Sequence, residues 1–358
     1  MYIFKLDTIK IISAVIGLTS LFFFNSCDDS FIYESEGNCD VLYRVRYRYD
    51  RNLKWKDTFA EDVNSMRLFL FDEQGILISE CAEKGNSLSN GDYDMSFSLS
   101  EGKYYLVAWG GLDNGNENES FTLSKSTPQV TTLNDFTCRL NRQNSSTFPV
   151  FSSEELFPLF HGKTEIVIPE SASGEITDTI SLTKDTNHIR IILQKRSGEG
   201  INAEDYDINI EDSNGLLGYD NSLLKDERIT YRPWRKVVEH VTLGKDNVNV
   251  PTIDAEGVVA DFTTGRLTTN HRNDMLLTIS DINSGSNVSD TPIPVIDYIL
   301  MAKSYYQEIY GHRMSDQELL DREDDYTLTF FIDNNGKWIN TSILIHSWRI
   351  VLSDVDLN

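Results

Sequence analysis

The sequence predicts an all-β chain folded as two tandem β-sandwiches, with a short helical insertion in the second. Apolar residues recur mainly at every second position, clusters of Gly, Asn and Asp separate the short runs, and helical spacing appears only near the end. A length of 358 residues suits two domains, and the boundaries expected are 39–160 and 161–358.

The chain begins with Lys5 and Lys10, an apolar stretch from Ile11 to Phe24, and then Asn25-Ser26-Cys27. The stretch is shorter than the ~20 residues a spanning helix needs. Residues 1–26 are therefore expected to be an export signal. A small residue directly before cysteine is the pattern of lipoprotein processing, which makes Cys27 the expected acylation site. Asp28 and Asp29 resemble the Bacteroidetes signal for display on the outer leaflet, and residues 27–38 are expected to be a polar tether.

Tyr43, Val45, Tyr47 and Tyr49 alternate with Arg44, Arg46 and Arg48, the pattern of a half-buried strand. The arginine row is expected to be a solvated face rather than a grip on an acidic partner. Met66–Phe71 and Ile76–Ile78 flank the turn Asp72-Glu73-Gln74-Gly75 and predict a hairpin. Met95, Phe97 and Leu99 alternate with serines, and Glu101-Gly102 is expected to close a second hairpin with Tyr104–Trp109, a nearly all-apolar central strand. A strand is expected at Phe136–Leu140, and residues 143–160 are expected to cross between domains.

Thr164–Ile168 and Asn187–Gln194 are expected to open the second strand series, which continues through Tyr206–Ile210 and Val237–Leu243. Pro294 suits a first helical turn, Ile296, Ile299, Leu300 and Lys303 follow helical spacing, and Gly311 can end the segment. Ser315 and Glu318 match a capping box for a second helix. Ile343, Ile345, Trp348, Ile350 and Leu352 form the expected closing strand or strands.

With 32 Lys+Arg against 56 Asp+Glu the net charge is −24, which argues against nucleic acid as a partner. Gly-x-Ser-x-Gly, His-Glu-x-x-His and Gly-x-Gly-x-x-Gly are all missing, and Gly162-Lys163-Thr164 lacks the upstream glycine of a phosphate loop, Phe157 standing there instead. No catalytic residue, cofactor or metal is expected. Each of His161, His188, His240, His271, His312 and His346 is expected to be structural. The acidic cluster Asp321, Glu323, Asp324 and Asp325 is expected to be a solvated turn. Asp113–Glu119 could wrap calcium but lacks EF-hand spacing. Cys39, Cys81 and Cys138 allow one bridge with three possible pairings, among which the sequence does not choose.

Eight stretches in order along the chain resemble the FimB-type fimbrillin-associated family, which includes anchor subunits of Bacteroidales fimbriae: Tyr43–Asp50, Met66–Gly75, Tyr104–Leu112, Leu159–Gly162, Asp185–Ile191, Asp261–Leu267, Gln317–Tyr326 and Trp338–Leu357. The resemblance implies two transthyretin-like, Greek-key sandwiches and an acylated N-terminus in the outer membrane. It also implies a role in attaching the fimbrial shaft, whose fimbrillin subunit is the expected partner, and in limiting shaft length. Ile343–Leu357 is a candidate for contact with that subunit, and completion of the second sandwich is an equally good reading of it. The alternative is a surface glycan-binding lipoprotein, for which Trp55, Trp109, Trp234, Trp338 and Trp348 could stack on sugars.

Overall fold

The structure, a computed structural model, describes residues 40–91, 93–112, 119–144, 150–243, 253–339, 342–345 and 348–351. Its first half holds β1 (Val41–Arg48), β2 (Ser65–Phe71), β3 (Leu77–Lys84), β4 (Asp94–Leu99), β5 (Gly102–Gly110), β6 (Phe121–Leu123), β7 (Thr137–Leu140) and β8 (Phe151–Ser152). There follow β9 (Phe160–Ile168), β10 (Glu175–Ser181), β11 (Thr183–Lys184), β12 (Asn187–Lys195), β13 (Tyr206–Asp212), β14 (Leu216–Gly218) and β15 (Ile229–Tyr231). The last series is β16 (Arg235–Leu243), β17 (Ile253–Thr264), β18 (Leu276–Asp281), β19 (Ser286–Asn287), β20 (Ile293–Pro294), β21 (Asp325–Ile332), β22 (Ser342–Ile345) and β23 (Trp348–Val351).

In β1 the alternation becomes burial: Val41, Tyr43, Val45 and Tyr47 point inward. Arg44 lies outward and bridges both neighbouring strands, through Asp94 at 3.0 Å and Glu175 at 2.7 Å. The first sandwich packs the sheet β10-β1-β4 on the sheet β11-β9-β5-β2-β3. β5 is apolar on both sides because both sides are covered. Leu106 and Ala108 face the three-stranded sheet, whereas Val107 and Trp109 join the larger core that runs into the second sandwich.

The second sandwich opposes the sheet β16-β17-β12-β21-β22-β23 to the sheet β19-β18-β13-β15-β8, with β20 alongside β18. Ile189, Ile191 and Leu193 of β12 and Leu328, Phe330 and Ile332 of β21 share one core with Ile208, Ile210, Leu277 and Ile279. In both sandwiches the first long strand pairs in parallel with a late one, β1 with β10 and β12 with β21. The helices Val295–Met301, Lys303–Tyr310 and Asp316–Arg322 form the expected insertion. Gly311, at φ 69°, ends the second, and the Ser315 hydroxyl accepts from the Glu318 N–H at the start of the third.

Two pairings depart from the sequence-based expectation. The Met66–Ile78 hairpin forms as β2 and β3, but Glu101-Gly102 does not close a second one: β4 pairs with β1, and β5 runs in the opposite sheet between β2 and β9. The expected boundary at 160 falls at the first residue of β9, which pairs with β5 along its whole length, so the first sandwich draws its strands from as far as Lys184. Conversely, β7 pairs with β14, and β8 runs parallel to β15. Alternation records that a strand has one buried face; it does not record which sheet supplies the cover.

Candidate functional site

Six of the eight stretches singled out in the sequence meet where the sandwiches join. Asp185, which leads from β11 into β12, is fully buried. Its Oδ1 accepts from Arg266 Nη1 at 2.7 Å and from Asn221 Nδ2 at 2.9 Å. Arg266 also donates through Nη2 to Asp321 Oδ1 at 2.7 Å, and Gln317 Nε2 reaches the same oxygen at 2.9 Å. Burial pushes the Asp185 carboxyl up to about 6, against the pull of Arg266 and Asn221. His161 is buried too, its Nε2 2.9 Å from the Tyr219 carbonyl and its ring edge-on to Trp109 at 4.5 Å. Burial lowers it to about 3, so it is neutral and donates to that carbonyl.

The remaining links run through the loop after β1. Arg322 donates to the Asp50 carbonyl at 2.9 Å and lies 3.7 Å over the Trp55 ring, whose centroid is 4.1 Å from that of His312. Lys184 pairs with Asp324. Burial raises Glu323 to about 7, with the Asp324 carboxylate adding to the shift while backbone N–H groups oppose it. The acidic cluster is thus the expected solvated turn only in part. Asp321 is tied to Arg266 and Asp324 to Lys184, and Glu323 is largely buried near Tyr306 and Tyr326, whereas Asp325, with its side chain 69% exposed, pairs with His188 within the second sandwich. No local pattern could disclose this, because the partners lie tens to hundreds of residues away.

On the outer face of β12, β16 and β17, Asp261 accepts from Arg190 Nε at 2.7 Å and Arg235 Nη1 at 2.9 Å, and His188 Nε2 stands 3.3 Å away. Burial works against this carboxylate, but the three donors outweigh it and hold it well below the usual carboxylate range. Hydrogen bonds to Asp261 and Asp325 raise His188 to about 9. A base raised from 6.5 to about 9 stabilises the fold below pH 6.5 and loses that contribution as pH rises through 9. Replacing His188 by Gln is expected to remove about 1 kcal/mol at pH 6, the shift being discounted for partial exposure, and nothing by pH 10. Urea unfolding at the two pH values measures it.

Cys27, Cys39 and residues 113–118 lie outside the described residues, as do positions 1–38 generally. Cys81 packs at the margin of the first core and Cys138 within the second, so these two lie in different clusters. Of the tryptophans, Trp109 is fully buried and Trp338 packs on Phe330 and Tyr298. Among the described residues no cluster of His, Cys, Asp and Glu could hold a metal ion, and no helix is long and apolar enough to cross a membrane. The closing stretch forms β22 and β23, and β23 ends its sheet with no strand beyond it among the described residues.

The sequence profile of the fimbrillin-A associated anchor proteins Mfa1 and Mfa2 matches residues 35–354. No curated protein matches the chain in sequence. Among solved structures, a Bacteroides thetaiotaomicron protein described as a candidate adhesin is 27% identical, with a TM-score of 0.74 over 89% of this chain and 100% of that one. A second, from the same organism and described as a candidate polysaccharide-binding protein, is 28% identical, with a TM-score of 0.71 over 88% of this chain and 100% of that one. The fimbrial anchor protein Mfa2 of Porphyromonas gingivalis shares the fold at 16% identity, with a TM-score of 0.61 over 88% of this chain and 100% of that one. With the profile spanning both sandwiches and the junction between them, the chain belongs to the fimbrillin-A associated anchor family.

Proposed function

We propose that this chain is a lipid-anchored outer-membrane subunit that fixes a fimbrial shaft to the cell surface and limits its length, without catalysing a reaction. The observation that carries this reading is the family match across residues 35–354. The geometry adds a means of attachment. An edge strand presents a row of backbone donors and acceptors, and a segment of a shaft subunit laid beside β23 would satisfy them while its side chains set the register. Cys27, acylated at its sulfur, supplies the membrane hold: each buried methylene contributes about 0.8 kcal/mol, and several chains give firm anchoring.

A proline scan across Trp348–Val351 tests the edge, because proline removes the N–H that an added strand would use. Fimbriae are expected to be shed into the medium while the subunit stays on the cell; fimbriae that remain attached in every variant would refute the role of β23. Replacing Cys27 by Ala is expected to leave a folded protein that moves to soluble fractions. Labelled palmitate still entering that variant would remove Cys27 as the lipid site.

A further inference from the structure

The loop after β1, the bend at Pro158 and the end of the helix Lys303–Tyr310 enclose a cavity of about 330 Å3 between the two sandwiches. This lies at the small end of the ~300–1,000 Å3 usual for ligand sites. Three further observations fall on the same place. Trp55, next to the lining residue Lys54 though outside the lining itself, holds φ at 54°, a left-handed conformation costly for a large side chain. Asn52, in the lining, is only 7% exposed; its amide nitrogen donates to the Tyr49 carbonyl at 2.9 Å and the Lys56 carbonyl at 2.8 Å, which fixes the amide's orientation and leaves its oxygen without a donor. Tyr310, also in the lining, stays 37% exposed, and its neighbour Ile309 is 53% exposed.

The lining chemistry selects the ligand class. Lys54, Lys184 and Arg322 share the lining with Asp62, Asp324 and Glu323, the last raised to about 7, so both signs are present and no strong net field favours an anion or a cation. What remains is a dense mixture of donors and acceptors beside tyrosine rings. Hydroxyl groups, each able to donate and accept, fit such a mixture, and the C–H face of a sugar ring packs on an aromatic plane.

We propose that the cleft between the sandwiches is a binding site for a neutral carbohydrate of one or two rings. The site goes beyond the attachment role and does not depend on it; the shedding of fimbriae described above is blind to it.

The test titrates the purified full-length chain with maltose, lactose, cellobiose, mannobiose and N,N′-diacetylchitobiose, read by tryptophan fluorescence and saturation-transfer NMR. Inorganic phosphate and a lysine-rich peptide serve as ionic probes. At least one disaccharide is expected to bind saturably, with affinity reduced about tenfold, one strong contact, by Tyr310→Ala or Lys54→Ala. Thermal unfolding should stay unchanged in Lys54→Ala, since Lys54 is exposed, and fall only slightly in Tyr310→Ala, which loses a stacking contact with Tyr306 at 6.5 Å. No binding at millimolar sugar, binding indifferent to both substitutions, or saturable binding of phosphate or peptide alone would each overturn the proposal.

Discussion

Replacing Arg266 by Ala is expected to destabilise the fold by about 3–5 kcal/mol at neutral pH, because it leaves Asp185 buried without its cation. Arg266 is itself largely buried, and its two guanidinium nitrogens each hold a carboxylate at 2.7 Å. The effect carries a pH signature with a definite sign. Asp185 already has a folded pKa of about 6 against an ordinary value of 3.8, so the folded state takes up the proton first as pH falls between those values. Stability tied to this group is therefore greatest below 3.8 and is lost as pH rises through 6. Without Arg266 the folded pKa climbs further, so the variant's deficit should be largest near pH 8 and shrink toward pH 5. Urea unfolding across that range measures it, and the double variant Arg266→Met with Asp185→Asn should recover much of the loss. A deficit that ignores pH would show that Arg266 acts through packing alone.

The second large effect is expected at Gly111. Its φ is 82°, and a Cβ there would fall far inside contact distance of the Pro158 carbonyl oxygen, a backbone atom that cannot swing away. The residue lies just after β5, where the chain passes the bend leading into β9. Substitution by Ala is expected to cost ~3 kcal/mol or more, seen as a lost folding transition or a sharp fall in soluble yield. Gly85 is the control: its φ is 84°, but a Cβ there meets nothing within 4 Å. Ala at that position should cost only about 1–2 kcal/mol, the left-handed backbone penalty by itself. Equal losses at both sites would remove the collision as the cause.

These two sites show what the sequence discloses and what it hides. The β1 alternation, the Asp72–Gly75 turn, and the Ser315 cap with its helix were all legible, because each depends on residues within one strand, one turn or one helical turn. β9 and the Glu101-Gly102 turn were misplaced for the converse reason. A turn that returns a strand to its neighbour and one that carries it to the facing sheet use the same residues, and Gly102 at φ 147° serves either. The junction was legible only in fragments. The stretches Asp185–Ile191, Asp261–Leu267 and Gln317–Tyr326 stood out individually, but the ion pairs uniting them span 81 and 55 residues, beyond any local period.

The parallel pairing of β1 with β10 has a mechanical meaning. A pull on the residues preceding Val41 acts along the axis of β1, which is hydrogen-bonded on one side to β10 from Leu42 to Arg48 and on the other to β4 from Val41 to Arg46. Tension in that direction loads both ladders in shear, so the bonds must yield together rather than unzip one by one. The first sandwich thus resists extraction of its leading strand by a load applied at that end.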